Sequence, residues 1–273
     1  MPELAQLKYC CLADGSQLTW REWGSGRPVV MLHGWSMSSV VFNEVAALLA
    51  DEYRLLCPDL PGHGYSDPLS RYSMERMAAA VAQWAERLQL TDFALLGWSL
   101  GGQVALELAA TCSPRIDRLL LISTTPCFCR SDDWFYGLPM TQVKALLRNL
   151  DRAYEKTLGD FFNLQFTDEG LPKDRYRQIL KFAVRAGRLP EPGVAKETLR
   201  LLGQADLRSI LDKIKRPTLV MHGELDRIIP LEAGAFLAEQ LSNSHFYRQP
   251  QVGHAPFFSY PTASAELWRT FLQ

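Results

Sequence analysis

The residues Gly97-Trp98-Ser99-Leu100-Gly101 place a serine midway between two glycines. That spacing suits a sharp turn from a strand into a helix. The serine takes a strained conformation that exposes its hydroxyl, and the glycines let strand and helix approach closely. The context agrees, because an apolar run at 93–96 precedes the turn and a helical pattern from 100 to 110 follows it. A serine hydroxyl is a weak nucleophile at neutral pH, so it needs a base, and the base needs an orienting acid.

For a serine on such a turn the partners follow in the order Ser, Asp/Glu, His. Of the five histidines, His33 and His63 precede the serine, and His222 ends a strand before the acid candidates. His245 begins a predicted strand that would fix its side chain in a sheet. His254 lies in the loop Gln251-Val252-Gly253-His254-Ala255-Pro256, where an imidazole could reach Ser99. The acid is sought at the end of a later strand, where Glu224 and Asp226 both qualify chemically. Asp226 is preferred because Arg227-Ile228-Ile229-Pro230 closes its loop and starts a helix; Glu224 is the fallback. One strand earlier, Ser123-Thr124-Thr125 offers no carboxylate. Asp59 precedes the serine and reads as a residue that shapes its loop.

Acyl transfer develops negative charge on a carbonyl oxygen, which two preorganised amides can stabilise. The amide after the nucleophile, Leu100, is one donor, and Trp35 in the loop His33-Gly34-Trp35-Ser36 supplies the other. His33 is expected to brace this loop. The Trp35 and Trp98 rings either wall an acyl pocket or pack in the core.

These groups need a scaffold of alternating strands and helices. Two runs at 7–12 and 18–23 flank Asp14-Gly15, a hairpin signal. Strands follow at 28–33, 53–57, 93–96 and 118–122, with helices at 40–49, 74–88 and 100–110 between them. The run at 28–33 is continuously apolar, as in a strand buried on both faces. This alternation implies right-handed crossovers and a mainly parallel sheet. The rhythm stops after Ser123, and residues 126–206 read as helical throughout. Strand–helix order returns with strands at 217–221 and 245–248 and helices at 231–241 and 262–272. An α/β core of residues 1–125 and 207–273, interrupted by a helical segment at 126–206, is the simplest account.

With 273 residues, 47% of them hydrophobic and 22% charged, the chain can bury a large core. A net charge of −1 carries no signal for nucleic acid. The first residues, through Cys11, lack the basic and apolar regions of a signal peptide, and no run of 18 apolar residues suggests a membrane span. Cys10, Cys11, Cys57, Cys112, Cys127 and Cys129 match no zinc spacing and read as free thiols in a reducing cytoplasm.

The set His33-Gly34, Asp59-Leu60-Pro61-Gly62-His63-Gly64, Gly97-x-Ser99-x-Gly101 and Gly253-His254 resembles the α/β-hydrolase superfamily across nearly the whole chain. Within it, the sequence is most similar to the esterases that cleave pimeloyl-acyl-carrier-protein methyl esters in biotin synthesis. The similarity lies in Leu32-His33-Gly34-Trp35, in Leu96 through Gly102, and in Ser123 through Phe128 with Trp134. It also lies in Phe161-Phe162-Asn163-Leu164-Gln165 and in His254-Ala255-Pro256-Phe257.

The resemblance implies an α/β-hydrolase fold, with a mainly parallel central sheet flanked by helices and a helical cap inserted after the sixth strand. It implies hydrolysis of a carboxylic, methyl ester through an acyl-serine, without cofactor or metal. Trp35, Ser99, Leu100, Phe161, Phe162, Asn163, Leu164, Gln165 and His254 would line the substrate site. The cap would offer cations to an acidic carrier protein. Residues 126–206 carry 13 Lys and Arg against 11 Asp and Glu, and Lys173, Arg175, Arg177 and Lys181 form the densest cluster. The expected partners are an acyl ester, free or carrier-bound, and acyl carrier protein, with no nucleic acid or membrane, in a cytoplasmic monomer. Rival readings are a short-chain carboxylesterase, a lactonase, a carbon–carbon hydrolase or a cofactor-free peroxidase on the same scaffold. A dehalogenase is disfavoured, because its nucleophile would be Asp. A receptor that keeps the fold without turnover is disfavoured by the complete set of groups.

Overall fold

The computed structural model describes residues 3–111 and 115–273; Cys112 lies outside the described residues. Strands β1 (Leu7–Cys11) and β2 (Gln17–Trp23) form the opening antiparallel hairpin. Its turn is closed by Asp14, whose carboxylate accepts from the Ser16 amide at 2.9 Å and the Ser16 hydroxyl at 2.6 Å. β2 also pairs antiparallel with β4 (Tyr53–Pro58). The remaining strands run parallel: β3 (Arg27–Leu32), β5 (Phe93–Trp98), β6 (Ile116–Ile122), β7 (Thr218–Gly223) and β8 (Ser244–Gln249). The eight strands lie in the order β1-β2-β4-β3-β5-β6-β7-β8.

Alternation along the central strands divides the core in two. Val30, Leu32, Leu95, Leu119, Leu121 and Val220 face helices α2 (Met74–Arg87) and α3 (Leu100–Thr111). Val29, Met31, Leu96, Trp98, Leu120, Ile122 and Met221 face α1 (Asn43–Leu49) and α10 (Pro261–Leu272) on the other side. Both faces of the parallel strands are therefore dry, which is why their sequence reads as unbroken apolar runs.

Some boundaries differ from expectation. β5 continues two residues past 96, because Gly97 and Trp98 pair with Leu121 and Ile122 of β6. The helix expected at 40–49 opens as a 3-10 turn over Ser39–Phe42. A separate four-residue helix, α9 (Pro256–Ser259), precedes α10, and Pro261 begins the latter where a missing N–H does no harm.

Residues 126–206 leave and rejoin the core at one place. The Leu207 amide donates to the Pro126 carbonyl at 2.8 Å, and Cys127 bridges Asp206. The segment contains α4 (Met140–Arg152), α5 (Tyr154–Leu164), α6 (Lys173–Ile179), a π-helical turn (Leu180–Val184) and α7 (Pro192–Gln204). It is not helical throughout: residues 127–138 form a loop crossed by bridges between Cys129 and Leu138 and between Ser131 and Trp134. Among the described residues, Cys10, Cys11, Cys57, Cys127 and Cys129 are free, and no helix is long and apolar enough to cross a membrane.

Candidate active site

Ser99 sits between the end of β5 and the first residue of α3 with φ +55°, in the left-handed region that L-residues other than glycine rarely adopt. The sheet holds it there. Its amide donates to the Ile122 carbonyl at 3.0 Å, and its carbonyl accepts from the Thr124 hydroxyl at 2.7 Å. The flanking glycines are required by close approach. A Cβ on Gly97 would lie 2.4 Å from the Gly101 carbonyl oxygen, and one on Gly101 would lie 2.2 Å from that of Leu32.

Two loops beyond later strands bring in the candidate acid and base. Asp226 follows β7 and His254 follows β8, and both side chains are buried. His254 Nδ1 lies 2.8 Å from Asp226 Oδ2. The other oxygen, Oδ1, accepts the amides of Ile228 at 2.8 Å and Ile229 at 2.9 Å. Burial alone would raise the Asp226 pKa; the attraction of His254 and hydrogen bonds from His222 and His254 overcome it and hold the carboxyl well below its usual range. The main chain of His254 is anchored at both ends: its amide donates to the Gln165 carbonyl, and its own carbonyl accepts from the Trp98 indole, each at 2.9 Å.

His222, set aside from chain order alone, also belongs to this group. Its Nε2 lies 2.9 Å from the Ile229 carbonyl and 3.3 Å from Asp226 Oδ2, with its ring against Gly234 of α8 (Leu231–Gln240). The spacing of four residues between His222 and Asp226 at one strand end was the available signal. Glu224 points elsewhere, pairing with Arg248 and accepting the Gln251 amide at 3.2 Å. His245 is exposed on β8.

The loop after β3 lies against Ser99: a Cβ on Gly34 would touch the Trp98 ring at 3.1 Å and Ser99 Cβ at 3.3 Å. His33 spans this loop, with Nδ1 2.9 Å from the Gly34 carbonyl and Nε2 accepting the Leu60 amide at 2.9 Å. Burial lowers the His33 pKa to about 4, which keeps the ring neutral and able to accept. Asp59 fastens the neighbouring turn, accepting from the Ser39 amide at 2.7 Å and the Thr19 hydroxyl at 2.9 Å. Leu100 opens α3, where an amide has no carbonyl one turn earlier to bond. Leu100 follows Ser99 directly, and Trp35 follows the Gly34 that lies against it.

Two cavities adjoin this centre, and Phe161 lines both. One, of about 270 Å³, runs among Phe128, Leu146, Leu164 and Leu199 and meets the acid loop at Ile228. The other, of about 410 Å³, is bounded by Phe162, Asn163 and Tyr176 and meets the β3 loop at Ser36. Of the residues expected to line a substrate site, Phe161, Phe162, Asn163 and Leu164 line these walls, whereas Trp35, Ser99, Leu100 and His254 do not. The Trp35 ring packs edge-on to Phe161 at 4.9 Å, and its indole donates to the Ala195 carbonyl at 3.0 Å. Trp98 packs in the core against His254, Phe257 and Phe258.

Two expectations need correction. Gln165 is buried and lines neither cavity; it meets the site through its carbonyl, on the His254 amide. Arg175 is not a free surface cation, because its guanidinium is tied to Glu44 and to the Phe258 carbonyl. Lys173, Arg177 and Lys181 are exposed, with Arg177 3.1 Å from Asp174.

A family profile described as alpha/beta hydrolase fold matches residues 27–261. The chain is similar to a pimeloyl-[acyl-carrier protein] methyl ester esterase of Nitrosomonas europaea, 36% identical over 240 residues that cover 87% of this chain and 92% of that one. Its counterpart in Pectobacterium carotovorum subsp. carotovorum is 34% identical over 258 residues, covering 94% and 98%. Among solved structures, an esterase from Exiguobacterium antarcticum superposes with a TM-score of 0.89 at 27% identity, over 97% of this chain and 98% of that one.

Proposed function

We propose, from the premise that this chain belongs to the α/β-hydrolase family and is a carboxylic ester hydrolase, that it cleaves the methyl ester of a pimeloyl chain carried by acyl carrier protein, with Ser99 as nucleophile. The observation that carries the chemistry is the buried Asp226–His254 pair, 2.8 Å apart, on loops that converge with the left-handed Ser99 turn. The substrate is argued from the relatives named for that reaction, which match over most of both chains.

Asp226 accepts a hydrogen bond from the protonated Nδ1 of His254, so the unprotonated Nε2 serves as base. Ser99 Oγ attacks the ester carbonyl as its proton passes to Nε2. The oxygen that becomes negative is received by the Trp35 and Leu100 amides. Collapse expels methoxide, which takes the proton from Nε2 and leaves as methanol. Water, deprotonated by the same imidazole, then attacks the acyl-serine and releases the free acid and Ser99. Residues 126–206 act as a cap that supplies Phe161 and the cavity walls on either side of it. The exposed Lys173, Arg177 and Lys181 are the cap cations available to an acidic carrier.

Methanol release from pimeloyl-carrier methyl ester, against the free methyl ester, tests the substrate. A kcat/KM at least about ten-fold higher for the carrier-bound ester is expected, a preference of ~1.4 kcal/mol. Equal values would leave a short-chain carboxylesterase. Ser99→Ala should remove turnover of both, by roughly 10⁴-fold or more, while leaving the thermal midpoint near that of the native chain.

A further inference from the structure

Given the roles proposed above for Ser99, Asp226 and His254, on which it depends, we infer that Glu169 is a positioning residue for the base: its carboxylate clamps the histidine loop to the inserted segment and so sets where His254 stands. Glu169 follows α5, in a tight turn where Asp168 takes φ +69° and Gly170 φ +62°. One carboxylate oxygen accepts the Gly253 amide at 2.8 Å, and the other accepts the Ser259 hydroxyl. Gly253 immediately precedes His254, and Ser259 ends α9. The two bonds therefore bracket the stretch of chain that carries the imidazole.

The approach is close enough to demand glycine. A Cβ on Gly253 would lie 2.3 Å from the Gln165 carbonyl oxygen and 2.7 Å from Glu169 Oε1. The same turn reaches the acid loop, because Asp168 pairs with Arg227 beside Asp226. Five consecutive residues, 165–169, thus touch both the acid and the base loop, and the His254 amide donates to one of them.

The energetics separate positioning from folding. Burial pushes the Glu169 pKa up, against the hydrogen bonds from Ser259 and Gly253, and the charge of Asp226 adds to the rise. A carboxylate whose folded pKa is raised lowers stability when it ionises. At neutral pH its charge opposes folding, as expected of a group retained for function rather than stability.

The test measures p-nitrophenyl acetate hydrolysis per active site. Sites are counted by a p-nitrophenyl phosphonate, which releases one p-nitrophenolate as Ser99 Oγ bonds to phosphorus. Glu169→Ala should lower kcat by about ten- to a hundred-fold per titrated site, the scale of a base displaced by an ångström or less, with KM little changed and the thermal midpoint level or raised. Glu169→Gln, whose amide oxygen can still accept from Gly253, should recover to within about three-fold of the native rate. Ser259→Ala removes half the clamp without touching the half-buried charge; it should lower kcat a few-fold in the native chain and not at all in Glu169→Ala. A native kcat per titrated site in Glu169→Ala would overturn the clamp, as would additive effects of the two substitutions. If Ser99→Ala retained turnover, the nucleophile assignment would fail instead.

Discussion

The turn that carries Ser99 and the loop that carries His254 meet at Trp98 but draw on different parts of the molecule. The Ser99 turn is fixed by its own neighbours: strand β5, helix α3, the Ile122 carbonyl and the Thr124 hydroxyl, all in the core. The His254 loop is also bonded to the core, at Trp98, Glu224 and the Leu225 amide, but it takes further main-chain partners from Gln165 and Glu169 of the inserted segment. A nucleophile needs one strained conformation, which a sheet edge imposes locally. A base must meet both an acid and a nucleophile, so its loop is set by contacts from distant residues. Seating of the inserted segment is therefore expected to bear on His254 more than on Ser99.

The largest effect should come from the acid. Asp226→Asn keeps the shape of the loop but leaves His254 Nδ1 facing an amide that can donate. It is expected to lower kcat by roughly 10⁴-fold, about 5 kcal/mol, as in the wrong-tautomer variant of a serine protease. Glu224→Gln should stay within about two-fold of the native rate, since Glu224 is engaged with Arg248. Burst and steady-state kinetics of both variants on a p-nitrophenyl ester decide between the two carboxylates. Comparable losses in the two would dissolve the distinction drawn between them.

A smaller effect is expected where the Ser99 turn is broken by bulk. Gly101→Ala sets a Cβ 2.2 Å from the backbone oxygen of Leu32, which cannot swing aside as a side chain would. Destabilisation of about 3 kcal/mol is expected, the upper range for overpacking, read as a lower urea midpoint at unchanged m. Gly253→Ala meets the Gln165 carbonyl and the end of the Glu169 side chain instead. It should lower kcat more than it lowers stability, because the inserted segment can lift away where β3 cannot.

This difference also explains what was readable in the sequence. The succession of strands and helices along the chain follows from unbroken apolar runs alternating with helical patterns, and the serine turn from glycines two residues either side. Both are signals within a dozen residues. Asp226 and His254 were reachable through chain order, because the strands before them were recognisable. His222 was set aside because nothing local shows that the Asp226 loop folds back onto it, and the capture of the His254 amide by Gln165 spans 89 residues. The same blindness to distance turned Arg175 into a surface cation: its partner Glu44 lies 131 residues away. The helix α9 was missed because Pro256 and Pro261 start two helices five residues apart, where the pattern suggests one.

The two sides of the site should also respond oppositely to pH. Under the β3 loop, His33 and His63 are buried with ring centroids 5.3 Å apart. Burial lowers the His33 pKa to about 4 and, with repulsion from His33, that of His63 to about 3. The unfolded chain then binds protons that the folded chain refuses, so stability falls as pH drops below 6.5, by up to about 1.4 kcal/mol per pH unit for each ring. Glu169 works the other way. Its raised pKa means stability is fullest below the ordinary Glu range and is lost as pH rises through the folded value. Urea midpoints at pH 7 and pH 4.5 should therefore show a clear fall in the native chain. His63→Asn, whose side-chain N–H can replace Nδ1 toward the Pro61 carbonyl, should flatten that fall. Glu169→Gln should steepen it, because the variant no longer carries the group that offsets it between its ordinary and raised pKa. A His63→Asn slope equal to the native one would place the acid sensitivity outside His63, and the same result in a variant that also replaces His33 would remove the physical contrast between the two sides of the site.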